Sequence, residues 1–188
     1  DNKAATAGQT YEVASQTKLL TAVVVMQLAE EGLIDLDQRI ASLLPDSDTD
    51  GVPNAGTATV REILQQRSGI PNYLEAQDGK GNPFWSEKLL DGKALYPDDL
   101  LDIARGMDAT NAPGKGYHYS NTGYLLLGLM IEAVTGRSWA TNLEERIFDK
   151  VGMKHSTARI FDAGPKRLSS YHSEGGDLID VTEAPYHP

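Results

Sequence analysis

Cysteine is absent from all 188 residues. That excludes disulfides, thiolate metal sites and cysteine nucleophiles, and it leaves both the cytoplasm and an oxidising compartment open. Positive charge is scarce: 17 Lys and Arg stand against 27 Asp and Glu, a formal net of -10, with the acidic groups spread along the chain. Lys and Arg supply the attraction to phosphate backbones and anionic lipid, so neither nucleic acid nor a membrane surface is expected as a partner. No run approaches the ~20 apolar residues of a membrane helix. Asp1-Asn2-Lys3 carries no apolar signal core, and a cleaved signal would leave no trace. His118, His155, His172 and His187 show no H-x-x-x-H or H-E-x-x-H spacing, and glycine-rich phosphate loops are missing, so no metal and no cofactor are expected. G-x-S-x-G is missing too, which argues against the α/β-hydrolase route to acyl transfer.

What is present is an ordinary globular composition, 40% apolar and 23% charged, in a length that suits one domain over residues 1–188. The pattern reads as mainly helical. Residues 16–31 form the strongest helix, stopped by Gly32, a favoured residue just past a helix end. Its apolar residues fall around nearly the whole wheel, so a central helix covered on several faces is expected. Residues 32–44 give a turn and a short helix, and 46–56 an acidic loop. Thr59 with Glu62 three residues on forms a capping box opening a helix that Ser68-Gly69 ends. A polar surface loop is expected over 72–82. Pro97 suits the first turn of a helix through Arg105. Further helices are expected from Thr122 to Thr135, ended by Gly136, and from a Ser138 cap to about Phe148. Strands are few: Tyr11–Ala14, Ala158–Phe161 and Leu178–Val181.

Two clusters could carry chemistry. Ser15-Gln16-Thr17-Lys18 is an S-x-x-K at the start of the central helix. Positions i and i+3 share a helix face, a helix N-terminus offers partial positive charge, and a serine hydroxyl needs a nearby proton acceptor before it is a useful nucleophile. Lysine taken out of water is easier to deprotonate and can then act as a base. The competing reading of the same four residues, and the one that Ser as a favoured cap supports when they are taken alone, is a serine N-cap with a solvated lysine. Tyr119-Ser120-Asn121 is the second cluster. In an extended segment, Tyr119 and Asn121 would face one cleft, where a phenol can relay a proton and an amide can hold both a lysine and a substrate carbonyl. The competing reading has Asn121 capping a helix and Tyr119 packed in the core.

Taken together, these clusters resemble the motifs of the serine β-lactamase-like superfamily, which includes class C β-lactamases, D-alanyl-D-alanine carboxypeptidases, D-aminopeptidases and related esterases. The stretch from Tyr11 to Lys18, then 27–37, is similar to the first motif. Ser68-Gly69-Ile70-Pro71-Asn72-Tyr73 looks like the family's Ser-Gly-Ile-Pro turn. Pro113-Gly114, then 117–124 with Leu127-Gly128, resembles the second motif and its helix. Ile147-Phe148, Gly152-Met153 and Thr157 match the segment that usually comes next in the family. The resemblance implies a serine hydrolase forming an acyl-enzyme at Ser15, with Lys18 and Tyr119 handling protons and Asn121 contacting substrate. The substrate would be a β-lactam, a D-amino-acid peptide or an ester. It implies an α/β β-lactamase/penicillin-binding-protein-like fold of which this chain covers mainly the helical part, with most of the antiparallel sheet missing. It also favours a periplasmic or secreted location.

Two departures stand out. Gln66 occupies a position, two residues before the Ser-Gly turn, where members often carry histidine, which reads as a local packing change. The third motif, a Lys-Thr-Gly or His-x-Gly on a strand, is not found after residue 157; His172-Ser173-Glu174-Gly175 reads as a surface turn. An incomplete chain is therefore expected, with little activity alone, since losing one oxyanion donor typically costs ~10²–10³ in rate. An all-round apolar helix left open would form a patch that soluble monomers rarely tolerate. So the remaining polypeptide or another chain is expected to cover it. The alternative is a non-catalytic penicillin-fold scaffold or helical subdomain that binds a partner chain.

Overall fold

The computed structural model describes residues 4, 6, 8–77, 81, 96–159, 168–169, 171–174 and 177–180. A single 3-10 turn, Ala14–Gln16, leads into helix α1, Thr17–Glu30. Short helices α2, Asp46–Thr49, and α3, Val60–Leu64, follow, then α4, Pro97–Arg105. Helix α5, Asn121–Thr135, ends at Gly136 in the left-handed conformation. Helix α6, Trp139–Leu143, widens into a π turn over Glu144–Phe148 and closes as α7, Asp149–Val151. Strands β1, Tyr171–Glu174, and β2, Asp177–Asp180, pair antiparallel, His172 opposite Ile179 and Ser173 opposite Leu178. Among the described residues no helix is long and apolar enough to cross a membrane.

The caps explain the boundaries. Thr59 Oγ1 accepts from the Glu62 N–H while Glu62 Oε2 accepts from the Thr59 N–H, at 3.2 and 2.9 Å. Ser138 Oγ accepts from the Thr141 N–H at 3.1 Å, and Pro97 occupies the first turn of α4.

Other expectations need correcting. The acidic stretch after Pro45 contains α2, whose Asp46 and Asp48 sit in the first turn, where helix-dipole charge favours them. Helix α3 stops at Leu64, short of Ser68-Gly69, because Gln66 turns left-handed at φ +57°. The start of the expected polar loop is interior: Asn72 and Tyr73 are buried, and Tyr73–Glu75 form a 3-10 turn. Tyr11–Val13 belong to no strand, and Ala14 begins the 3-10 turn instead. Ala158 and Arg159 are irregular; Ile160, Phe161 and Val181 lie outside the described residues. The expected surface turn at His172–Glu174 is a strand, because its main chain pairs antiparallel with the nearby β2, Glu174 opposite Asp177.

The core gathers where α1 and α5 cross. Val24, Val25 and Leu28 meet Leu126, Leu127, Met130 and Ile131, with Leu143, Ile147 and Phe148 closing one end. Each such side chain contributes roughly 1.5–3 kcal/mol by burial. Trp139 Nε1 donates to the buried Thr21 Oγ1 at 3.1 Å, tying α6 to α1. The expected covering on several faces is only half present. Leu19, Val23 and Met26, one stripe at i, i+4 and i+7, are 69, 38 and 48% exposed.

Gly69 fixes the loop beneath the second cluster. Its φ is +67°, and a Cβ there would lie 1.9 Å from the Asn111 carbonyl oxygen. No other residue type fits.

Candidate active site

Ser15 precedes α1 and faces outward, and its hydroxyl does not cap that helix; the N-cap position belongs to Gln16, without a side-chain cap bond. Ala14, immediately before it, takes φ +45°, a conformation L residues other than Asn, Asp and Gly seldom adopt. That strained residue turns Ser15 away from a capping geometry. One turn later Lys18 Nζ donates to Ser15 Oγ at 3.3 Å.

The second cluster approaches from across the sequence. Tyr119 O–H donates to Ser15 Oγ at 2.7 Å, and Lys18 Nζ donates to Asn121 Oδ1 at 2.5 Å. The ammonium also lies 5.0 Å from the Tyr119 ring centroid and 5.7 Å from that of Tyr124, so two aromatic faces hold it from the sides. Ser15, Lys18, Tyr119 and Asn121 are thus brought into one cluster, about a hundred residues apart in sequence.

Segment 119–121 is held by residues whose importance the sequence does not announce. Buried Gln66 accepts from the Ser120 N–H through Oε1 at 2.7 Å, and its Nε2 donates to the Ser120 carbonyl at 3.4 Å. The glutamine that departs from the family pattern is therefore a two-point clasp on the residue between Tyr119 and Asn121. Ser120 Oγ donates to the Pro71 carbonyl at 3.2 Å and accepts from the Gly123 N–H at 3.1 Å, starting α5. Buried Thr122 accepts from the Tyr73 N–H at 3.0 Å. Tyr124 O–H donates to the Leu64 carbonyl at 3.1 Å.

Electrostatics act on the phenols in opposite directions. Burial pushes Tyr119 up, but hydrogen bonding from Lys18 and Ser15, with the Lys18 charge, outweighs it and the phenol settles below its ordinary value. Burial raises Tyr124, and Tyr119 adds to that. A phenol with lowered proton affinity 2.7 Å from a hydroxyl gives up its proton, and so becomes an acceptor for that hydroxyl, more readily than a free phenol does. Among the described residues no group of three His, Asp or Glu could hold a metal ion.

Known proteins match the chain along most of its length. The family model described as "Beta-lactamase" matches residues 1–188. Penicillin-binding protein 4 of Amycolatopsis lactamdurans is 32% identical over 169 residues, covering 90% of this chain and 41% of its own length. The D-stereospecific amidohydrolase of Streptomyces sp. superposes with a TM-score of 0.76 at 28% identity, over 93% of this chain and 53% of its own. The D-amino acid amidase of Ochrobactrum anthropi SV3, complexed with L-phenylalanine amide, gives 0.73 at 29%, over 96 and 49%. The chain thus spans about two fifths to a half of the length of these relatives. It carries the helical part of the penicillin-binding-protein and β-lactamase fold, and it belongs to the β-lactamase family of the serine β-lactamase-like superfamily.

Proposed function

We propose that the whole protein is a serine hydrolase acting through an acyl-enzyme at Ser15, on a β-lactam, a D-amino-acid peptide or an ester. The observation that carries the reading is the convergence of Tyr119 Oη, at 2.7 Å, and Lys18 Nζ, at 3.3 Å, on the Ser15 hydroxyl. As a neutral phenol Tyr119 donates to Ser15. Once it loses its proton the same contact reverses, and the serine O–H donates to the phenolate. Ser15 Oγ then bonds to the substrate carbonyl carbon as its proton passes to Tyr119, with the Lys18 charge close enough to steady the phenolate. The tetrahedral oxyanion is stabilised by the Ser15 main-chain N–H. Collapse breaks the scissile bond, Tyr119 returns the proton to the departing amine or alkoxide, and water hydrolyses the ester by the reverse transfers. Asn121 orients substrate while accepting from Lys18. Nothing in this sequence of steps requires a metal or organic cofactor.

Residues 1–188 serve in this reading as the helical portion of one β-lactamase-like domain. The exposed stripe Leu19, Val23 and Met26 favours a cover supplied by the remaining polypeptide or by another chain. It also supports a second reading, a non-catalytic scaffold that docks a partner there. Labelling separates the two. The full-length protein should be labelled by a fluorescent penicillin or a fluorophosphonate, and Ser15→Ala should abolish the label. A folded full-length protein that takes neither reagent and hydrolyses no ester would leave only the scaffold.

A further inference from the structure

We propose that Asn72 and Glu75 are positioning residues that decide which end of the Asn121 amide meets Lys18. The inference rests on the reading of Ser15, Lys18, Tyr119 and Asn121 as the reacting cluster. An amide side chain has two ends of nearly equal size and opposite hydrogen-bonding character. Only the oxygen can face the Lys18 ammonium, and it does so at 2.5 Å. Turned over, the amide would set two N–H donors against a cation and push Lys18 from Ser15.

A chain of bonds with a fixed direction holds the amide the right way round. Asn121 Nδ2 donates to Asn72 Oδ1 at 3.1 Å, and the Asn121 and Leu74 main-chain N–H groups donate to the same oxygen at 3.3 and 3.4 Å. Asn72 is 5% exposed, so an unpaired amide end there carries the full desolvation penalty. Its own Nδ2 donates to Glu75 Oε1 at 3.2 Å. An ionised carboxylate offers acceptors only, so it admits the nitrogen end of Asn72 and rejects the oxygen end. Glu75 Oε2 lies 2.9 Å from His118 Nε2, which fastens the carboxylate to the residue beside Tyr119. The base is firm: buried Tyr73 begins the 3-10 turn carrying Glu75, and its N–H is held by Thr122. An acceptor-only group at one end and an ammonium at the other thus set the polarity of both amides between them.

The test compares Glu75→Leu with Glu75→Gln in the full-length protein. Glu75 is half-exposed, so both variants should fold. Glu75→Leu should slow fluorophosphonate labelling of Ser15 by about ten- to a hundredfold, the scale of a small misplacement near reacting atoms. Glu75→Gln keeps a carbonyl oxygen for Asn72 and should restore most of the rate. In an Asn121→Ala background Glu75→Leu should have no further effect, because the amide it acts through is gone. Equal labelling of wild type and Glu75→Leu overturns the proposal, and so does an undiminished effect in the Asn121→Ala background. A wild type that does not label at all sinks the reading of Ser15 instead. The positioning claim is then decided by NMR of the Asn121 side-chain amide: a shifted resonance lost in Glu75→Leu upholds it, and an unchanged one overturns it.

Discussion

The two halves of the candidate site are built to different standards of rigidity. The Tyr119–Asn121 half lies among buried partners, with Gln66, Pro71, Asn72 and Thr122 each fixing a main-chain or side-chain group. The Ser15–Lys18 half stands at the open end of α1, between the exposed side chains of Tyr11 and Val13 on one side and Leu19 on the other. The second half owes its placement to one strained residue, Ala14, and to what reaches over from the first. One wall of the site is thus completed by this stretch of chain, and the other is left open along the stripe that runs down α1.

The comparison breaks most easily at Gly69. Gly69→Ala would drive a methyl into the Asn111 carbonyl and force an L residue to φ +67°, and thermal unfolding should show a loss of about 3 kcal/mol or more. A loss below about 1 kcal/mol would mean that the rigid half yields easily. Gln66→Leu is smaller but more informative. It keeps the volume and leaves the buried Ser120 N–H and carbonyl without their clasp, at about 1–3 kcal/mol. Labelling at Ser15 should fall with it, since Tyr119 and Asn121 flank the released residue.

A third measurement addresses the junction of the halves. Because Tyr119 sits below the ordinary phenol value of about 10, its acceptor form is populated at lower pH than that of a free phenol. The rate of Ser15 acylation should therefore climb with pH along a limb that lies below that value and fall away on its acid side. Burial opposes the shift and Lys18 produces most of it. Lys18→Met should move the limb to higher pH, as well as lowering the rate. A limb that stays in place in Lys18→Met would show that the phenol's state is set elsewhere.

How far the sequence could reveal this division depends on where each partner lies. The caps and stops of α3, α4, α5 and α6 are local, and they could be read from Thr59 and Glu62, Pro97, Gly136 and Ser138 respectively. Ser15-x-x-Lys18 was locally ambiguous, because a capping serine and a nucleophile differ only by a tyrosine 104 residues away. Gln66 and Asn72 were harder still. Each is an amide in a connecting segment, a type and a place that normally mean surface. Their burial comes from contacts 54 and 49 residues along the chain. Gln66 gave one signal, its departure from the family's usual histidine, and that position turned out to hold the second motif. Asn72 gave none beyond its place in the Ser-Gly-Ile-Pro turn. The open face of α1 was legible, since a helix apolar all round needs more cover than a mostly helical chain with few strands can offer.

The smallest expected effect tests the open half. Leu19 and Met26 are 69 and 48% exposed, whereas Val24, Val25 and Leu28 on the opposite side of α1 are fully buried. In the 188-residue chain, Leu19→Ser with Met26→Ser should change stability by no more than about 0.5 kcal/mol per site, the usual scale for surface positions. Binding of a dye that reports exposed apolar surface should fall. In the full-length protein the same pair should be destabilising, by about 2–5 kcal/mol for each site that is fully covered, because polar groups would then face an apolar partner surface. The sign of the difference is the informative part. If the substitutions are equally harmless in both contexts, nothing covers this stripe in the full-length protein, and the site's second wall must be closed from another direction.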